Sequence, residues 1–137
     1  MAGPLMIVDD SQSSLTVMKL VLEKSGIEQI QEFSCAQSAL NSIKEGNIPA
    51  FIISDFRMPV MNGLEFLDKV SELYPEIPSL IISGDKASVL ALSQNYPVVE
   101  KGEADFFKQL ADMITNHFAG CREELQTPMP LPRKFRS

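Results

Sequence analysis

Ala50-Phe51-Ile52-Ile53-Ser54-Asp55-Phe56-Arg57-Met58-Pro59-Val60-Met61-Asn62-Gly63 is the stretch on which the fold turns. Its first part, Ala50–Ser54, is a nearly continuous run of aliphatic and aromatic residues. Such a run suits a strand covered on both faces, as in a parallel sheet. It ends on a carboxylate, Asp55. Pro59 stiffens the loop beside that carboxylate, and Gly63 permits a tight entry into a helix. Leu64, Leu67 and Val70 then recur at helical spacing, with Phe66 and Leu73 alongside, and the pattern stops before Pro75. The stretch is therefore a strand, an acidic loop and a helix.

The same unit repeats in both directions. Apolar runs at Leu5–Val8, Gln29–Phe33, Ser79–Ile82 and Val98–Glu100 read as further strands. Between them, Leu15, Met18 and Leu22 form a helical stripe, with Gly26 as its C-terminal stop. Ser34 is a candidate N-cap for a second stripe of Ala36, Ala39, Leu40 and Ile43. Phe106, Phe107, Leu110, Met113 and Ile114 mark the last helix. The fourth, Ala87–Asn95, is short and closed by Pro97. Strand and helix alternating in this way imply an α/β fold with a parallel sheet and right-handed crossovers.

The chain has 137 residues, enough for one ordinary domain. Its formal charge is −6 at pH 7, which argues against a dedicated nucleic-acid binder. Cys35 and Cys121 form no metal-thiolate pattern and read as reduced thiols. No apolar run approaches the roughly 20 residues of a membrane span, and the first residues do not resemble a signal peptide. The expectation is a cytoplasmic protein with no membrane partner. From Gly120 onward the chain changes character. Residues 120–137 read as a proline-rich, basic and disordered tail or linker, leaving residues 1–119 as the domain.

In an open parallel sheet, ligands bind beyond the carboxyl ends of the strands. Asp9 and Asp10 stand after the first strand, Asp55 after the third, Ser83 after the fourth and Lys101 after the fifth. Singly, each has an ordinary reading as a cap, a turn residue or a surface charge. Together they bring three carboxylates, a hydroxyl and an ammonium to one edge. Carboxylates so placed repel unless a cation neutralises them, and Mg²⁺ (or Mn²⁺) suits an all-oxygen set. One carboxylate can then act as a nucleophile toward phosphorus, with Lys101 holding a phosphoryl oxygen.

These residues resemble the receiver domain of two-component response regulators. Asp9-Asp10 is similar to that family's acidic pair, and residues 55–63 match its D-x-x-M-P-x-M-x-G loop at every fixed position. The resemblance spans Leu5 to Phe118. It implies a doubly wound five-stranded parallel sheet in the order 2-1-3-4-5, here with a shortened fourth helix. It also implies Asp55 as phosphoacceptor, Asp10 as direct metal ligand, and Asp9 acting largely through water. Asp55 and the backbone carbonyl of Arg57 complete the metal site, while Ser83 and Lys101 serve as switch hydroxyl and phosphate-binding lysine. The implied phosphodonor is a histidine kinase or phosphotransfer protein.

Three features depart from the family pattern. Gly102 follows Lys101 where proline is usual. Val98 stands where an aromatic switch residue is usual, the nearest aromatic being Tyr96. The stretch from Ser83 to Lys101 is about one helical turn short. All three fall on the fourth helix and fifth strand, which with the fifth helix form the face through which the family reaches a downstream protein. The expected function is a phosphoacceptor signalling module with an atypical output face. The alternative is a receiver-like module that binds proteins without phosphate. An aspartyl-phosphate hydrolase is disfavoured, because Arg57 stands where such enzymes place a second Asp.

Overall fold

A computed structural model of the chain describes residues 3–102 and 104–126, with side chains described as far as residue 118. Five strands, β1 (Leu5–Val8), β2 (Ile30–Phe33), β3 (Phe51–Asp55), β4 (Ser79–Ser83) and β5 (Val98–Glu100), form one parallel sheet in the order β2-β1-β3-β4-β5. Five helices join them: α1 (Gln12–Lys24), α2 (Ala36–Lys44), α3 (Gly63–Leu73), α4 (Lys86–Leu92) and α5 (Phe106–Gln126). The expected fold class and strand order are both observed.

Side chains alternate across a strand, so each strand feeds two cores. Leu5, Ile7, Ile53, Leu80, Ile82 and Val99 pack with Leu15, Met18 and Leu22 of α1 and with Phe106, Leu110 and Ile114 of α5. Met6, Val8, Ile52, Ile81 and Val98 pack with α2, α3 and α4 on the other side. This double cover explains why the sequence of β3 is apolar without alternation.

The helices differ in how firmly they are held. α3 carries a capping box, in which Asn62 Oδ1 accepts from Glu65 N at 2.8 Å and Glu65 Oε1 accepts from Asn62 N at 3.0 Å. It buries Phe66, Leu67 and Val70. α4 has 7 residues and buries Val89 alone. One buried valine contributes only about 1.5–2 kcal/mol. The expected weak segment Ala87–Asn95 thus begins one residue earlier and ends at Leu92, because Asp85 caps it and Ser93 turns extended.

Further sequence expectations need correction. The N-cap of α2 is Cys35, whose thiol accepts from Ser38 N at 3.5 Å, rather than Ser34. Asp55 and Ser83 are the last residues of their strands, not the first beyond them. α5 continues through the expected domain boundary at 119 to Gln126, and residues 127–137 of the expected tail lie outside the described residues. No helix among the described residues is long and apolar enough to cross a membrane.

Candidate functional site

Strand register assembles the site. Val8 pairs with Ser54, so Asp9 emerges beside Asp55. Asp55 pairs with Ile82, and Ser83 pairs with Glu100, so Ser83 and Lys101 arrive one step further along the same edge. One carboxylate oxygen from each of Asp9, Asp10 and Asp55 lies within 4.8 Å of the others. Asp9 is fully buried and Asp55 nearly so, whereas Asp10 is exposed. Lys101 Nζ lies 2.8 Å from Asp55 Oδ1 and 3.4 Å from Asp9 Oδ2. Asp9 Oδ1 accepts from Ser11 N at 2.9 Å, which engages both oxygens of the buried acid.

Asp10 opens instead onto a depression of about 450 Å³ that it shares with Phe56, Arg57, Met58, Pro59 and Asn62. The loop that floors this depression is tightly tied. Phe56 N donates to Ile82 O at 2.9 Å, and Gly63 N donates to Phe56 O at 2.8 Å. A Cβ on Gly63 would collide with the backbone carbonyl of Asp55, so glycine is required there by contact, beyond the tight turn that the sequence suggests. Met61 N donates to Pro59 O at 2.8 Å, closing a γ-turn on Val60 at φ +73°. That is the rarer, strained form of the turn, and it carries a β-branched residue. Buried Ser54 donates its hydroxyl to the Asp55 carbonyl at 3.0 Å.

The electrostatics stem from burial. Burial pushes the Asp55 carboxyl above the usual carboxylate range. The hydrogen bond from Lys101 opposes this, and the charges of Asp9 and Asp10 reinforce it. At Lys101 burial works to lower the pKa, but Asp55 and then Asp9 outweigh it, so the ammonium is held above its ordinary value. We assign the net cost to Asp55, because a single lysine cannot neutralise three carboxylates. An all-oxygen set with excess negative charge suits a hard divalent cation, and the residues present fit one.

Both expected switch positions are covered. Ser83 is buried, and its hydroxyl oxygen accepts from Asp85 N at 3.0 Å. Val98 is buried in the core with Val89 of α4. Tyr96 is not a substitute for the expected aromatic. It lies before β5, at the other end of the sheet, and donates its hydroxyl to Asp68 Oδ1 of α3 at 2.7 Å. Sequence reasoning missed Glu100, whose Oε1 accepts from Lys86 N at 3.1 Å. No local signal reveals that bond, which links residues 14 apart.

The model of the response regulator receiver domain matches residues 5–106. The photosynthetic apparatus regulatory protein RegA of Rhodobacter capsulatus is 30% identical over 130 residues, covering 93% of this chain and 67% of RegA. A protein-glutamate methylesterase/protein-glutamine glutaminase of Agrobacterium fabrum is 34% identical over 145 residues, covering 93% of this chain but only 41% of that protein. Among solved structures, a CheY-like response regulator receiver domain protein from Methanospirillum hungatei superposes with a TM-score of 0.74 at 23% identity. That superposition covers 90% of this chain and 99% of the other, and it supports the fold.

Proposed function

This chain belongs to the response regulator receiver domain family, and from that premise we propose that Asp55 accepts a phosphoryl group from a histidine kinase or phosphotransfer protein. The observation that carries this reading is the ion pair of Asp55 with Lys101 at 2.8 Å inside a set of three carboxylates. Lys101 occupies Oδ1, and we assign the attack on phosphorus to Oδ2. A bond forms between Oδ2 and phosphorus as the bond from phosphorus to the donor nitrogen breaks, and the donor imidazole leaves. Lys101 Nζ then moves onto a phosphoryl oxygen, a displacement its three donors allow. Asp10, Asp55, the backbone carbonyl of Arg57 and, largely through water, Asp9 would hold Mg²⁺ (or Mn²⁺). When bound, the ion supplies positive charge that offsets the oxygens of the transferring group.

The signal leaves through the start of α4. The Ser83 hydroxyl holds Asp85 N, and the Glu100 carboxylate, one residue before Lys101, holds Lys86 N. A phosphoryl oxygen that draws Ser83 toward Asp55 removes the first of these bonds. Motion of Lys101 strains the second. α4 has one fully buried side chain, Val89, with Leu90 partly buried against the same core. A downstream protein partner would read α4, β5 and the start of α5.

Intact mass after incubation with a small acyl-phosphate donor tests the reading. One phosphoryl group should be gained with Mg²⁺, little with EDTA, and none in Asp55→Asn. Undiminished labelling of Asp55→Asn would refute the assignment. No labelling of the native chain under any condition would leave a module that binds partners without phosphate.

A further inference from the structure

The opposite, amino-terminal edge of the sheet holds a larger cleft, of about 950 Å³ against about 450 Å³ for the depression beside Asp10. Tyr74, Pro78, Tyr96, Pro97, Met113 and His117 are among the residues that line it, so aromatic rings and proline form part of its walls, beside aliphatic and polar side chains. The hydrogen bond from the Tyr96 hydroxyl to Asp68 Oδ1 fixes that ring against α3. Asp68 and Glu72, both exposed, add negative charge at the rim. A cleft of this size is in the range that small ligands and short peptides fill. Phosphoryl transfer at Asp55 does not use it.

We propose that this cleft is the docking site of the chain's own residues 127–137, Thr-Pro-Met-Pro-Leu-Pro-Arg-Lys-Phe-Arg-Ser. Three observations select this occupant. The segment alternates proline with Met129 and Leu131, a composition that favours the extended polyproline conformation. Grooves lined by aromatic residues take such segments at low entropic cost. It then carries Arg133, Lys134 and Arg136 and no acidic side chain, the complement of Asp68 and Glu72. Finally, the tether is short. Met113 and His117 of α5 are themselves a wall of the cleft, and α5 ends at Gln126. That is roughly 14 Å beyond His117 at 1.5 Å per residue. Residues 127–137 reach about 34 Å in the polyproline conformation, enough to turn back and cross the cleft. Tethering raises the local concentration to the millimolar range, so weak individual contacts suffice. The docked segment lies against Asn95 and Pro97, the loop from α4 into β5.

Nuclear magnetic resonance of the full chain tests this. Nuclear Overhauser contacts from the Met129 methyl and the proline rings to Tyr74 and Tyr96 ring protons are expected, unchanged on tenfold dilution. The double variant Arg133→Glu/Lys134→Glu and the double variant Pro130→Gly/Pro132→Gly should each abolish them and shift the ring signals of Tyr96 and His117. An unchanged thermal midpoint in both variants is the control for folding. Random-coil shifts throughout 127–137, with Tyr96 and His117 signals identical in all variants, would overturn the proposal. Contacts that fade on dilution would also overturn it, in favour of a second copy's tail. Phosphorylation of Asp55 is not needed for any of these readouts, so they stand apart from the proposed phosphotransfer.

Discussion

The third and fourth strand–helix units lie side by side in one sheet and are built to opposite standards. In the third, β3 is buried along its whole length, Gly63 packs against the Asp55 carbonyl, and α3 is locked by a reciprocal cap. In the fourth, β4 is buried at all but its first residue, yet it leads into a seven-residue helix with one buried side chain. That helix is tied down by bonds from Ser83, Glu100 and its own Asp85. Rigidity is concentrated around Asp55, the proposed nucleophile. Looseness is concentrated in α4, the element proposed to carry the signal, as expected when low-stability elements are the ones that move.

The largest effect should come from breaking the tight unit. Gly63→Ala places a methyl against backbone that cannot yield, and should cost about 3 kcal/mol in denaturant unfolding. It should also slow phosphorylation of Asp55. Loss of less than about 1 kcal/mol would mean that the loop is as soft as α4.

Next comes the charge on Asp55. Its folded pKa is raised above the unfolded value, chiefly by burial. Its contribution to stability is therefore fully present below the unfolded pKa of about 4 and is lost as pH rises through the folded value. At neutral pH the ionised carboxylate destabilises the fold. Asp55→Asn should then raise the thermal midpoint at pH 7 in EDTA, with the gain vanishing below about pH 4 and shrinking in Mg²⁺. An equal gain at pH 3 and pH 7 would assign the effect to packing rather than charge.

The loose unit should respond locally. Glu100→Ala removes the acceptor for Lys86 N and should speed hydrogen exchange of the first α4 amides about fivefold, the equivalent of about 1 kcal/mol, while leaving β3 unchanged. Phosphorylation should alter exchange in the same helix. Slow exchange of Lys86–Leu92 in both states, with changes confined to another face, would contradict the contrast between the units.

Smallest is the strain at Val60, an unfavourable backbone feature of the tight unit. It is fully exposed and held at φ +73°. Val60→Gly should stabilise by about 0.5–1 kcal/mol, since relief of strain exceeds the entropy that glycine adds to the unfolded chain. No gain in the midpoint of urea unfolding would show that the γ-turn is relaxed in solution.

Periodicity and residue order alone determined the strand–helix alternation, the parallel sheet, and the arrival of Asp9, Asp10, Asp55, Ser83 and Lys101 at its carboxyl edge. Each of those signals is local. An apolar run marks a strand covered on both faces, and the residue at its end lies at the carboxyl edge. Strand boundaries were legible to within a residue, and the N-cap of α2 was missed by one, because residue type favours the Ser34 hydroxyl while the backbone places the weaker Cys35 thiol at the cap. Only the tertiary structure decided which partners meet across distant stretches. Glu100 reaching Lys86, Tyr96 reaching Asp68, and Asp55 colliding with any side chain at position 63 depend on how strands stack and helices lean. The cleft behind Tyr96 exists because α3, α5 and the loop before β5 converge there. No window of sequence contains those three, since their proximity is created by the packing of the sheet itself.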